Sequence, residues 1–221
     1  MATALKKRLL DRGINPNPKR KGELHIFVTF ALSNWEGALP LTLQSFGKVT
    51  VFDWRHLLEC KGRDSIDAEM IKAFNNAYLQ KPVDAIVGYL SGYATSPQAL
   101  LEIANKGTII FNFCWDDKLN FPGPIIEGRY SSPAAIASAF DLNLTNAPES
   151  VMKYAVHSGL AMFWPEAAHP DIHRPYDYPF EFDVSFAGSK YGWRPNFITN
   201  LQKSGIEVTC FGNGWESGAL S

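Results

Sequence analysis

Two adjacent carboxylates, Asp116 and Asp117, follow the apolar run Thr108–Phe113 in the segment NFCWDDKLN. Acids this close are coupled, so one of them is expected to hold its proton more tightly and to suit general-base work. The competing structural reading has one aspartate capping a turn and the other solvated. No histidine or third acid lies at useful local spacing, so no metal is expected here. Cys114 has no histidine near it in sequence and reads as a buried small side chain.

A second group lies near the end of the chain, in DVSFAGSKYGWRPNFITNLQKSGIEVTCFGNGW. Gly188 and Ser189 form a turn after an apolar run, Arg194 opens a helical pattern, and Gly212 follows the next apolar run. A glycine turn feeding a helix can offer backbone N–H groups to a diphosphate, with arginine as a charged clamp.

The remaining candidates also follow apolar runs. Asn34, Trp35 and Glu36 fall in a loop ahead of a helical start at Gly37, where polar ligand atoms are attracted. A capped loop with its tryptophan packed on the domain edge is the structural alternative. Asp53 could hold ribose hydroxyls, but no GxGxxG precedes it, and a structural Asp53–Arg55 pair is favoured. Ser91 and Tyr93 could line a cleft. Ser91 is not a nucleophile elbow, since GxSxG is missing. Glu166 and His169 begin a proline-rich stretch where two domains would face each other. His169 and His173 would make a zinc pair only on a helix, and Pro170 argues against one.

The elements that must carry these residues alternate regularly. Apolar runs at His25–Phe30, Lys48–Phe52, Ala85–Tyr89, Thr108–Phe113, Leu142–Thr145 and Ala161–Trp164 read as strands covered on both faces. Helical patterns at Gly37–Phe46, Ile66–Gln80, Pro97–Asn105, Pro133–Phe140 and Pro148–His157 lie between them. That alternation predicts a Rossmann-like, doubly wound parallel α/β sheet over 24–164. Residues 1–23 read as a polar leader with a loosely held helix, and 165–182 as an ordered linker. Residues 183–221 read as the first βαβ of a second Rossmann-like domain, incomplete at Ser221.

Composition narrows the function classes. A formal net charge of −1 leaves no global field for nucleic acid, and the basic residues near the N-terminus read as a solvated tail. Three scattered cysteines argue against a disulfide framework and fit a reducing cytoplasm. No apolar stretch is long enough for a spanning helix, and no signal-peptide core is visible. Asn143–Thr145 matches a glycosylation sequon by chance, inside an expected buried strand.

The segments NWEGALPLTLQSFGKVTVFDWR, FNFCWDDKLNFPG, DLNLTNAPESVMKYAVHSGLAMFWPEAAHPDIHRP and DVSFAGSKYGWRPNFITNLQKSGIEVTCFGNGW resemble the CgeB-like glycosyltransferases of bacteria. The resemblance runs from about residue 24 to the end. It implies two Rossmann-like domains facing across a cleft (GT-B), with the acceptor on the first and a nucleotide-diphospho-sugar on the second, and no metal. Asp116 or Asp117 would then act as base, with Asn34, Trp35, Glu36, Ser91, Tyr93 and Glu166 on the acceptor side. Gly188, Ser189, Arg194 and Gly212 would face the donor. The implied partners are the nucleotide-sugar and a glycan or small-molecule acceptor. An exposed apolar face on the incomplete second domain would favour self-association. The rival reading is a non-catalytic carbohydrate-binding or interaction module that keeps the fold. A flavodoxin-like or response-regulator-like signalling domain fits poorly, because the acidic pair follows the fourth apolar run instead of the first.

Overall fold

The computed structural model describes residues 1–15, 19–30 and 39–215. The chain divides into two compact units, 1–172 and 173–221.

In the first unit, α1 (Ala2–Asp11) precedes β1 (Leu24–Phe30), α2 (Leu39–Gln44) and β2 (Gly47–Asp53). Then come α3 (Trp54–Lys61), α4 (Ile66–Gln80), β3 (Ala85–Gly88), α5 (Pro97–Ala104) and β4 (Ile109–Cys114). A short α6 (Asp117–Asn120), the hairpin strands β5 (Ile125–Ile126) and β6 (Arg129–Tyr130), β7 (Leu142–Thr145), α7 (Ser150–Val156) and β8 (Ala161–Phe163) complete it. Six strands form one parallel sheet in the order β2-β1-β3-β4-β7-β8. The expected doubly wound α/β sheet is therefore present.

The register explains why the runs are continuously apolar. Along β1, Phe27 faces a core built with Met70, Phe74, Ile86, Leu100, Ile103 and Ile110. Its neighbours Ile26, Val28 and Phe30 face the opposite core with Phe113, against Leu39 and Leu43 of α2. Side chains alternate across a strand, so a strand covered on both faces is apolar at every position. β2 lies at the edge and is only partly covered. Gly47 opens it beside β1: a Cβ there would lie 2.0 Å from the Leu24 carbonyl oxygen.

Three expectations change. The leader helix is anchored: Leu9 is buried, Arg12 Nη2 donates to the carbonyls of Ala104 (2.7 Å) and Thr108 (3.0 Å), and Arg12 Nη1 pairs with buried Asp141. Pro133–Phe140 is not one helix but two 3-10 turns, Pro133–Ala135 and Ala137–Ala139. Its carbonyls serve outside donors, since Asn143 Nδ2 donates to Ala137 O (2.9 Å) and Arg8 to Ser138 O. Those bonds replace the repeating bonds of an α-helix, so tertiary contacts override local propensity. Asp53 makes no side-chain pair with Arg55; it caps α3, accepting the N–H groups of Arg55 (3.0 Å) and His56 (3.2 Å). Asn143 of the sequon is buried in β7.

In the second unit, β9 (Ser185–Ala187), α8 (Arg194–Lys203) and β10 (Thr209–Phe211) form a parallel βαβ. Among its described residues, only Ile198 of the large apolar side chains is buried, while Tyr191, Trp193 and Phe197 are exposed.

Candidate functional site

In a parallel sheet of this kind ligands sit at the carboxyl ends of the strands, where strand order reverses. Here β1 leads to β2 on one side and the chain returns to β3 on the other. The reversal thus brings the residues after β3 to the crevice.

Those residues are held rigidly. Asn112 of β4 is buried; its Oδ1 accepts the Leu90 N–H (2.9 Å) and its Nδ2 donates to the Leu90 carbonyl (3.0 Å). Trp54 Nε1 donates to the Tyr89 carbonyl (3.2 Å). Tyr93 N–H bonds Ser131 O (2.9 Å), and the Arg63 guanidinium lies 5.1 Å from the Tyr93 ring centre. The Ser91 carbonyl closes the turn by accepting from Ala94 (2.9 Å) and Thr95 (3.1 Å).

Strand alternation then places Tyr89 and Phe113 on the same sheet face. Their rings stack at 5.1 Å, Trp115 lies 4.9 Å from Phe113, and Trp164 meets Phe113 edge-on at 5.8 Å. Around the buried Phe113, the half-buried Tyr89, Trp115 and Trp164 form an aromatic rim beside Asp116, which is exposed. The Tyr89 hydroxyl donates to Asp116 Oδ2 (3.1 Å), and among the described residues Oδ1 has no hydrogen-bond partner. Further along the rim, Asn146 after β7 donates to Glu166 after β8.

The two aspartates do not share one environment. Asp117 is fully buried. Its Oδ1 accepts from the Thr145 hydroxyl and its Oδ2 from the Tyr154 hydroxyl, both over 2.9 Å. Lys153 Nζ donates to the backbone carbonyls of Asp117 (3.1 Å) and Lys118 (2.7 Å). Burial pushes the Tyr154 hydroxyl well above its ordinary range, with the nearby Cys114 and Asp117 adding to it. Burial likewise pushes the Cys114 thiol up to about 12, with the Asp117 and Asp116 charges adding to it. Asp117 is thus held under the rim by two hydroxyls, and Asp116 is the carboxylate exposed at it.

In the second unit, the glycine turn is internally committed. Trp215 Nε1 donates to Gly188 O (2.7 Å) and Arg194 Nη1 to Ser189 O (3.0 Å). Arg194 also lies 4.1 Å from the Tyr191 ring centre. Gly212 packs so closely that a Cβ would sit 2.6 Å from Gly188 O. The turn is tight, as expected of a βαβ entry. Its arginine braces the turn in this arrangement.

No protein-family model and no curated protein matches the sequence. Among solved structures, that of Arabidopsis thaliana UGT89C1 complexed with UDP-L-rhamnose is similar, with 12% identity and a TM-score of 0.47. The likeness covers 97% of this chain and 65% of that one, so the chain spans about two thirds of its length.

The structure brings Asp116 to the carboxyl rim, Ser91 and Tyr93 to the loop after β3, and Glu166 to the residues after β8. Gly188, Ser189, Arg194 and Gly212 come together around one turn of the second unit. Asn34, Trp35 and Glu36 lie outside the described residues. Sequence reasoning missed Tyr89, Trp115, Asn146 and Trp164 as rim residues. The available signal was an aromatic or amide at or just past the end of four apolar runs. Among the described residues no three His, Cys, Asp or Glu side chains gather as a metal site, and no helix is long and apolar enough to cross a membrane.

Proposed function

We propose that this chain carries the acceptor side of a sugar-transferring enzyme, with CgeB-like glycosyltransferases as its kin. The observation that carries the reading is the exposed Asp116 carboxylate, fixed by the Tyr89 hydroxyl beside an aromatic rim at the carboxyl end of a parallel sheet. Aromatic faces suit the apolar faces of sugar rings, and a positioned carboxylate suits removal of a hydroxyl proton. In the reaction proposed, Asp116 takes the proton from an acceptor hydroxyl as its oxygen bonds to the anomeric carbon. The bond from that carbon to the diphosphate breaks, and the nucleoside diphosphate leaves with the electron pair. Ser91, Tyr93 and Glu166 would contact the acceptor. The Gly188–Ser189 turn would receive the donor diphosphate, with Arg194 swinging from Ser189 O to the leaving group. The nucleotide-diphospho-sugar is substrate in this scheme, and no resident cofactor or metal takes part.

The rival reading, a non-catalytic carbohydrate-binding module, draws on the committed state of Arg194, which serves Ser189 O and the Tyr191 ring. Limited proteolysis of the full chain with common nucleotide-diphospho-sugars separates the two. Protection of bonds within 183–215 supports the transferase, and absence of protection by any donor tested favours the module.

A further inference from the structure

Behind the loop that carries Ser91 and Tyr93, a cavity of about 570 Å³ opens between the first turn of α5 and the β5–β6 hairpin. Its size falls within the range of small-ligand pockets, about 300–1,000 Å³. Pro97, Ile125, Tyr130 and Ala135 give it apolar walls, and Gln98 and Arg129 supply its polar groups. The hairpin contributes one acid, Glu127, and that carboxylate is already paired with Arg63 (3.1 Å). Arg129, half-buried at the cavity, is left without a hydrogen bond or ion pair among the described residues. The cavity wall is fixed: Gly92 packs against Tyr130 and Ala135 so closely that a Cβ would lie 2.3 Å from Tyr130 O and 2.4 Å from Ala135 Cβ.

A guanidinium without a partner among the described residues, in a cavity with aliphatic walls, selects a particular chemistry. A planar carboxylate matches the guanidinium fork with two hydrogen bonds, while an apolar body lies against the aliphatic side chains of Pro97, Ile125 and Ala135. We propose that this cavity is a second small-molecule site, for an organic anion that joins a carboxylate to an apolar body. The site is separate from the Asp116 rim and does not depend on the sugar-transfer reading.

Isothermal titration of the full chain with 2-naphthoate and with its neutral isostere naphthalene-2-carboxamide tests it. One naphthoate is expected to bind per chain, with the carboxamide at least about tenfold weaker, because hydrogen bonds to charged groups are worth more than neutral ones. Arg129→Ala should weaken naphthoate by about tenfold or more, with Arg129→Lys between the two, since lysine keeps the charge and loses the fork. The comparison of the two ligands on the unaltered chain needs no variant to fold. No naphthoate binding at millimolar concentration, equal affinity for the carboxamide, or an unchanged affinity in Arg129→Ala would overturn the assignment.

Discussion

Tyr89, just past β3, donates its hydroxyl to Asp116 Oδ2, just past β4, over 3.1 Å. The two strands are adjacent and parallel, with Gly88 opposite Asn112. The phenol and the carboxylate therefore leave the sheet side by side, and Asn112 pins the intervening Leu90 in both directions. One oxygen of Asp116 is oriented by the Tyr89 hydroxyl, and the other has no hydrogen-bond partner among the described residues. If Asp116 is the base, Asp116→Asn should lower the rate of transfer about a hundredfold or more with a donor and acceptor that turn over. Tyr89→Phe should lower it by a smaller factor, because the carboxylate survives and only its orientation is lost. The exposed position of Asp116 means its variant should unfold at an unchanged urea concentration. Equal rates for the chain and Asp116→Asn would remove Asp116 from the chemistry.

Its neighbour should behave in the opposite way. Asp117 is buried under the hydroxyls of Thr145 and Tyr154. Tyr154→Phe leaves that carboxylate short of one donor and should destabilise the fold by about 1–3 kcal/mol. Asp117→Asn should also destabilise, since the amide offers two hydrogens where both native partners donate. Urea midpoints give the readout. A midpoint unmoved in both variants would show that the buried network contributes nothing.

The contrast between these two aspartates marks the limit of what the residues alone disclose. Adjacent acids past an apolar run locate the rim, because a buried parallel strand must end there and polar side chains follow. Which acid turns inward is decided by Thr145 and Tyr154, 28 and 37 positions later, and no local pattern encodes that. The strands were legible from continuous apolarity, and Ile66–Gln80 and Arg194–Lys203 from helical period. Pro133–Phe140 misled because Asn143 and Arg8 take its carbonyls from outside. The helix Trp54–Lys61 lies outside the helical patterns read from the sequence, although Asp53 is a good cap three positions before His56. The rim aromatics were hidden for a simpler reason: Tyr89 and Trp164 sit in apolar runs, where an aromatic reads as core.

The anchoring of α1 has a measurable energy. Asp141 is 1% exposed and accepts both the Ile110 N–H (2.8 Å) and the Arg12 guanidinium. Removing the arginine leaves a buried carboxylate without its counter-charge, and frees the carbonyls of Ala104 and Thr108. Arg12→Ala should therefore cost about 2–4 kcal/mol, read as a lower urea midpoint. Deleting residues 1–13 should cost at least as much, because Leu9 is lost as well. A deletion that leaves the midpoint in place would mean that α1 is only a passenger on the first unit.

The cysteines should separate by burial. Cys60 is exposed, with its Sγ 3.7 Å from His56 Nε2, whereas Cys114 is buried under the rim. At pH 8 a disulfide reagent should modify Cys60 first, and should reach Cys114 only as the chain unfolds. The same burial predicts an alkaline limit to stability. An unfolded thiol ionises near pH 8.5, whereas burial holds the folded Cys114 thiol protonated up to about 12. Between those values the folded chain binds a proton that the unfolded chain has released, so stability falls as pH rises. The slope from this group is at most about 1.4 kcal/mol per pH unit. Tyr154 acts in the same sense above about pH 10, because burial raises its hydroxyl too. Urea midpoints at pH 8 and pH 10 should therefore diverge less in Cys114→Ala than in the unaltered chain. Equal divergence in both, or labelling of Cys114 as fast as Cys60 in the folded chain, would contradict the buried, protonated thiol.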